Sequence, residues 1–168
     1  FEGAAGPGLG VQACVDRLKG FHYAAHRLWQ TFLARLTAEP IYELKMGFSH
    51  HAYLAAEHVS LLRDRVAEMR HPPLGLNKIP HTNLEVFFDE ILNAPDAKSL
   101  LAGIYRVALP AMRDGLQEYQ RETNPLTDAP SLRIFRTILP EVEEMLNWGE
   151  RVCVALDETA GEEGDTPA

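Results

Sequence analysis

The chain is poor in most of the residues and patterns that announce a function. It has two cysteines in 168 residues, Cys14 and Cys153, which form no metal or redox motif and suit a reducing compartment such as the cytoplasm. No apolar run approaches the roughly 20 residues that a membrane span needs. No signal peptide is visible, and a first residue of Phe rather than Met reads as a fragment or a trimmed chain. There is no nucleophilic triad, no glycine-rich phosphate loop and no Cys-x-x-Cys-His haem attachment sequence. Positive charge is in deficit: 16 Lys and Arg against 24 Asp and Glu leave a net charge of −8, which argues against nucleic acid and anionic membrane as partners. Strand-type alternation and internal repeats are also missing.

What remains is ordinary globular composition, 46% hydrophobic and 24% charged, with strong helical periodicity. The organising stretch is Ile41 to Arg70, free of proline and bounded by Pro40 and Pro72-Pro73. Its seam runs Ile41, Leu44, Phe48, His51, Ala55, His58, Leu62, Val66 and Met69, the steps of an amphipathic helix about 45 Å long. A preceding helix over about 12–38 has the seam Val11, Val15, Leu18, His22, Ala25, Trp29, Phe32 and Leu36, and Glu39-Pro40 breaks it. The short connection predicts an antiparallel hairpin. Thr82-Asn83-Leu84-Glu85 reads as a capping box that starts a short helix to about Asn93. A third long helix is expected over 96–122, with Leu100/Leu101, Ile104, Ala108, Ala111, Gly115 and Glu118 on its seam. Asp128 or Ala129 caps a fourth, with Pro130 near its first turn, ending near Leu156. Pro110 and Pro140 fall inside these patterns and predict kinks.

The domain reading is a flexible N-terminal arm over 1–11, a single helical bundle over 12–156 and a disordered acidic tail over 157–168. The connection between the second and third long helices is about 25 residues, against the usual 2–8 between bundle neighbours. That length favours an all-α, ferritin-like four-helix bundle with a long crossover between helices 2 and 3 containing one short helix.

Glu43-Leu44-Lys45, Gly47, His51, His58, Leu62-Arg63, Arg65 and Glu68 to Arg70 resemble the second-helix signature of some bacterial ferritin-like proteins. Asn124-Pro125-Leu126 and Asp128-Ala129-Pro130, followed by Leu139, Glu141, Glu143, Glu144 and Trp148, are similar to the start of their fourth helix. The resemblance covers Trp29 to Trp148. It implies a four-helix bundle of a kind that often holds a di-iron or di-manganese centre for oxidation, oxygen activation or iron storage, and that often dimerises through helix pairs.

A carboxylate-bridged centre needs a Glu from each of two helices and a Glu-x-x-His pair from each of the other two. Here Ala55 stands three residues before His58, Phe48 three before His51, and Val142 and Met145 fill the fourth-helix positions. The metal site is therefore read as degenerate, with no cofactor expected. Such a chain is a non-catalytic binding or structural domain. His51 and His58 are then core histidines bonded to a carboxylate such as Glu118 or Glu144. The alternative is a metal-binding oxidoreductase holding iron, manganese or zinc on His22, His51, His58 and Glu118, with Glu144 as second choice for the carboxylate. His50, Glu57, Arg63, Asp64, Arg65, Glu68, Glu141 and Glu143 are expected at the surface.

Overall fold

Val15, Leu18, Ala25, Leu28 and Phe32 return to one side of the first helix, and all are at most 2% exposed. That stripe supplies one wall of the core. The computed structural model describes residues 6–70 and 74–163, and among these the secondary structure is entirely helical, in five helices. Helix α1 spans Val11–Ala38, α2 Tyr42–Glu68 and α3 Thr82–Leu92. Helix α4 covers 97–122 as three uninterrupted parts: α-helical Ala97–Leu101, a π-helical stretch Ala102–Ala108, and α-helical Leu109–Glu122. Helix α5 is Ala129–Glu163. No helix among the described residues is long and apolar enough to cross a membrane.

The expected break after α1 is present. Glu39 is extended (φ −75°, ψ 122°), and its carboxylate accepts from the Ile41 N–H at 3.1 Å, fastening the two-helix hairpin. The hairpin brings the Phe32 ring to 5.9 Å from Phe48 and 5.6 Å from His51. At one end of the molecule Arg17 pairs with Glu122 (2.5 Å) and Arg65 with Asp128 (3.0 Å), joining the start of α1 to the end of α4 and the end of α2 to the start of α5. At the other end Arg35 donates to the Leu92 and Ala94 carbonyls, and Lys98 pairs with Asp157 at 2.6 Å.

Several expectations are corrected. Thr82 is not an N-cap: His81 holds that position without a side-chain cap, and its carbonyl takes the Leu84 and Glu85 N–H groups. Helix α5 does not stop near Leu156 but reaches Glu163, and Asp157 within it pairs with Lys98 and Arg106. The part of the predicted tail at 164–168 lies outside the described residues, as do residues 1–5 of the arm and 71–73. The rest of the arm is tied down: the Gly6 carbonyl accepts from the Asn124 amide at 2.8 Å. Gly8 adopts φ +65°, and a Cβ there would lie 2.5 Å from the Asn124 nitrogen, so both its conformation and its contact need glycine.

The largest correction is the phase of α4. Up to Ala108 the buried residues follow the expected seam, but beyond it Met112, Leu116 and Tyr119 turn inward, while Ala111 and Glu118 face solvent. The π-helical stretch causes this. Hydrogen bonding five residues back adds one residue to the turn, so every later position is rotated relative to a 3.6-residue count. Pro110 sits two residues beyond its end. Proline has no N–H to give the fourth residue back, and the Leu109 N–H already reaches five back, to Ile104. Pro140, by contrast, is carried inside a continuous α5.

Candidate functional site

The two seam histidines of α2 are buried as expected, His51 at 1% and His58 at 2% exposure, but each has a partner of its own. The His51 Nδ1 and the Tyr105 hydroxyl share a hydrogen bond of 2.6 Å. Tyr105 belongs to the π-helical stretch, which turns both Ile104 and Tyr105 into the core. Trp148 stands edge-on to His51 at 4.9 Å between ring centroids and completes a three-ring cluster. Two glycines make the cluster fit: a methyl at Gly47 would overlap the Trp148 indole, and one at Gly149 would overlap the Tyr105 ring. Tyr105 is walled in and cannot retreat. Gly149→Ala is therefore expected to destabilise the fold by about 1–3 kcal/mol, the usual range for overpacking. A urea midpoint equal to that of the unaltered chain would contradict it.

Burial, with a smaller contribution from neighbouring His50, pushes His51 down to about 3, so it is neutral near pH 7. Burial also raises the Tyr105 phenol well above its ordinary value. His51 and Tyr105 thus meet as two neutral groups.

His58 is bonded through Nε2 to Glu141 at 2.7 Å. Burial lowers the imidazole, opposed by the hydrogen bond and charge of Glu141, and the net direction is down. The Glu141 side chain is 30% exposed, in keeping with the surface position expected of it, but its carboxylate bends inward to the histidine. Neither Glu118 nor Glu144 plays the expected part. Glu118 faces solvent after the phase shift, and Glu144 is exposed and lies 3.5 Å from His50 on the surface.

His22 is the third buried imidazole, 3% exposed, and neither of its ring nitrogens finds a hydrogen-bond partner among the described residues. Its ring is parallel to that of His26 at 6.3 Å. Burial, then the Arg63 and His26 charges, lower it to about 4.

Among the described residues no three His, Cys, Asp or Glu side chains come together as a metal-ligand set. His22, His51 and His58 are all buried, but Glu118 is exposed, and His51 and His58 bond to different partners, Tyr105 and Glu141. Outside Trp148 lies an open groove of about 450 Å³ bordered by Tyr42, Met46, His50, Glu144 and Arg151.

One polar centre is not anticipated by the periodicity of the sequence. Asp128 is 6% exposed and accepts hydrogen bonds from Tyr119 (2.6 Å), Thr123 (2.9 Å), Ser131 (2.5 Å) and Arg65 (3.0 Å). Arg65, expected on a solvated face, is itself 8% exposed and also donates to Ser131. The short spacing of Thr123, Asp128 and Ser131 is a usable signal, since such residues close turns and caps. The roles of Arg65 and Tyr119 are not legible in the sequence, because they arrive from other elements. No protein-family model, curated protein or solved structure matches the chain.

Proposed function

We propose that the chain is a ferritin-like crossover bundle whose ligand positions have been given over to packing, and that it serves as a non-catalytic binding or structural domain. The observation that carries this reading is the burial of the residues standing where Glu-x-x-His pairs would be. Phe48, Ala55, Val142 and Met145 are each at most 1% exposed and lie in the hydrophobic core. A carboxylate at any of these positions would need a partner that the surrounding apolar side chains do not offer.

The end-to-end contacts support the crossover. Arg65 at the close of α2 sits with Asp128, whereas α4 opens beside Arg35 and Asp157 at the far end, the placement that a crossover between α2 and α4 requires. The cysteines agree with that arrangement: Cys14 contacts Leu9, and Cys153 lies beside Lys98 and Arg106. As a binding face we assign the outer stripe of α2, where Tyr42, Met46 and Tyr53 are 67%, 51% and 61% exposed next to the groove over Trp148. The competing reading, a metal-dependent oxidoreductase, is favoured by the two unpartnered nitrogens of His22.

Elemental analysis of tag-free protein purified without chelator tests the choice, repeated for His51→Ala and His58→Ala. The expected result is folded protein with no stoichiometric metal and no uptake of added iron, manganese or zinc. Near-stoichiometric metal that both variants lose would replace this reading with the oxidoreductase.

A further inference from the structure

Helix α3 lies across α1 and leaves an apolar cleft of about 300 Å³, walled by Phe21, Ala24, Leu84, Phe87, Phe88 and Met112. Among the described residues, Arg17 is the one charged side chain lining it. Two helical turns along α1 from Arg17, the cleft reaches Ala24 and the buried Phe88, whose ring meets Tyr23 at 6.3 Å with Arg27 laid over both rings. Arg17 also borders a second, open bay of about 620 Å³ lined by Lys19, Lys78 and His81, with Asp16 as the one acid among its described residues. The Asp16 carboxylate accepts from the Gln12 amide at 2.7 Å, while neither Lys19 nor Lys78 makes an ion pair among the described residues. The N-terminus of α3 opens at the same bay, at His81, without a side-chain cap. A helix N-terminus carries partial positive charge and favours an anion.

An apolar slot thus leads into a basic bay through a shared arginine, on a chain whose net charge is −8. The slot is too small for a helix, which with its side chains is about 10–12 Å across, and its volume matches a single extended hydrocarbon chain. The bay gathers Arg17, Lys19, Lys78 and His81, a set suited to a phosphate rather than to a neutral head. We infer that cleft and bay together bind a single-chain amphiphile with a phosphate-ester head. The chain lies against Phe21, Phe87 and Met112, and the head takes Arg17 and the two lysines. Arg17 now pairs with Glu122 at 2.5 Å, with the two side chains 35% and 37% exposed. An ion pair that open to water holds little against a competing phosphate. The cleft lies apart from the His51 and His58 centres, so this inference stands independently of the function proposed above.

Titration calorimetry of the full chain with dodecyl phosphate, below its micellar concentration, tests it. Dodecyltrimethylammonium and inorganic phosphate serve as the two comparison ligands. Saturable one-to-one binding of dodecyl phosphate is expected, with both others weaker by about tenfold or more. Gly20 borders the cleft, and a Cβ there meets nothing within 4 Å, so Gly20→Leu has open space at its first side-chain atom, is expected to occupy the slot and strengthens α1. That variant should stay folded by circular dichroism and lose dodecyl phosphate binding. An Arg17→Gln/Lys78→Gln double variant should weaken it by about tenfold. The inference is overturned by an absence of saturable binding, by equal binding of the cationic amphiphile, or by a folded Gly20→Leu variant that binds undiminished.

Discussion

Stability is expected to fall steeply as the pH is lowered from about 6.5 to about 4, a loss that begins above the range in which most carboxylates titrate. His22 and His51 carry the effect. Burial holds the first down to about 4 and the second to about 3, against an ordinary value of 6.5. Between those limits the unfolded chain takes up a proton at each histidine and the folded chain does not, so protonation draws the equilibrium toward unfolding. The stabilisation is complete above 6.5 and is lost as pH falls toward each folded-state value. A tenfold difference in proton affinity between the folded and unfolded chain corresponds to about 1.4 kcal/mol, so by pH 4 His22 and His51 have each cost the fold on the order of 3 kcal/mol relative to its stability above pH 6.5. Against a typical total of about 5–15 kcal/mol, that suffices to bring the protein close to unfolding. Urea midpoints measured across this interval should fall continuously, and a midpoint that holds level from pH 7 to pH 4.5 would sink the prediction. His22→Leu separates the contributions. It removes two unpartnered nitrogens from the core at similar volume, so it should raise stability at pH 7 by about 1 kcal/mol and flatten the acid slope.

Asp128→Ala is expected to be the most damaging single substitution, at about 3–5 kcal/mol, because it strips the nearly buried Arg65 of its buried counter-ion, leaving it only the exposed Glu68 at 3.2 Å, and unpairs three hydroxyls. Burial alone would push the Asp128 carboxyl up, but the hydrogen bonds from Ser131, Tyr119, Thr123 and Arg65 outweigh it and hold it below the ordinary carboxylate value. Its contribution is therefore present above the unfolded-state value near 3.8 and is lost only as pH falls through the lower folded-state value. This places the Asp128 loss at a lower pH than the histidine loss. Calorimetric unfolding of Asp128→Ala and Asp128→Asn should rank the alanine variant as less stable, since asparagine keeps one acceptor oxygen. A loss below about 1 kcal/mol for Asp128→Ala would mean that the network is not needed.

The network also explains the helix ends it joins. Ser131 and Asp128 open α5, Tyr119 and Thr123 close α4, and Arg65 comes from the last turns of α2. A single carboxylate therefore fixes three helices at one end of the molecule. Toward the other end the aromatic cluster has a comparable effect through packing: Gly47 admits Trp148 and Gly149 admits Tyr105, while His51 shares a hydrogen bond with the Tyr105 hydroxyl.

Local signals in the sequence determined the helices. Pro40 placed the boundary after Ala38, apolar steps of three and four found the buried sides of α1 and α2, and the burial of His51 and His58 followed from their place in the α2 stripe. These are properties of residues within one or two turns of one another. Only the tertiary structure decided the partners. Tyr105 reaches His51 because a π-helical turn adds a residue before Pro110. The same rotation carries Glu118 out to solvent, and a count fixed at 3.6 residues per turn has no means of registering it. Glu141 bends in to His58, and Asp128 draws in Arg65 from a residue separation of 63. Periodicity tells which side of a helix avoids water. Which polar group satisfies a buried histidine or arginine depends on how separate helices are rotated and stacked against one another, and that is settled only when they pack.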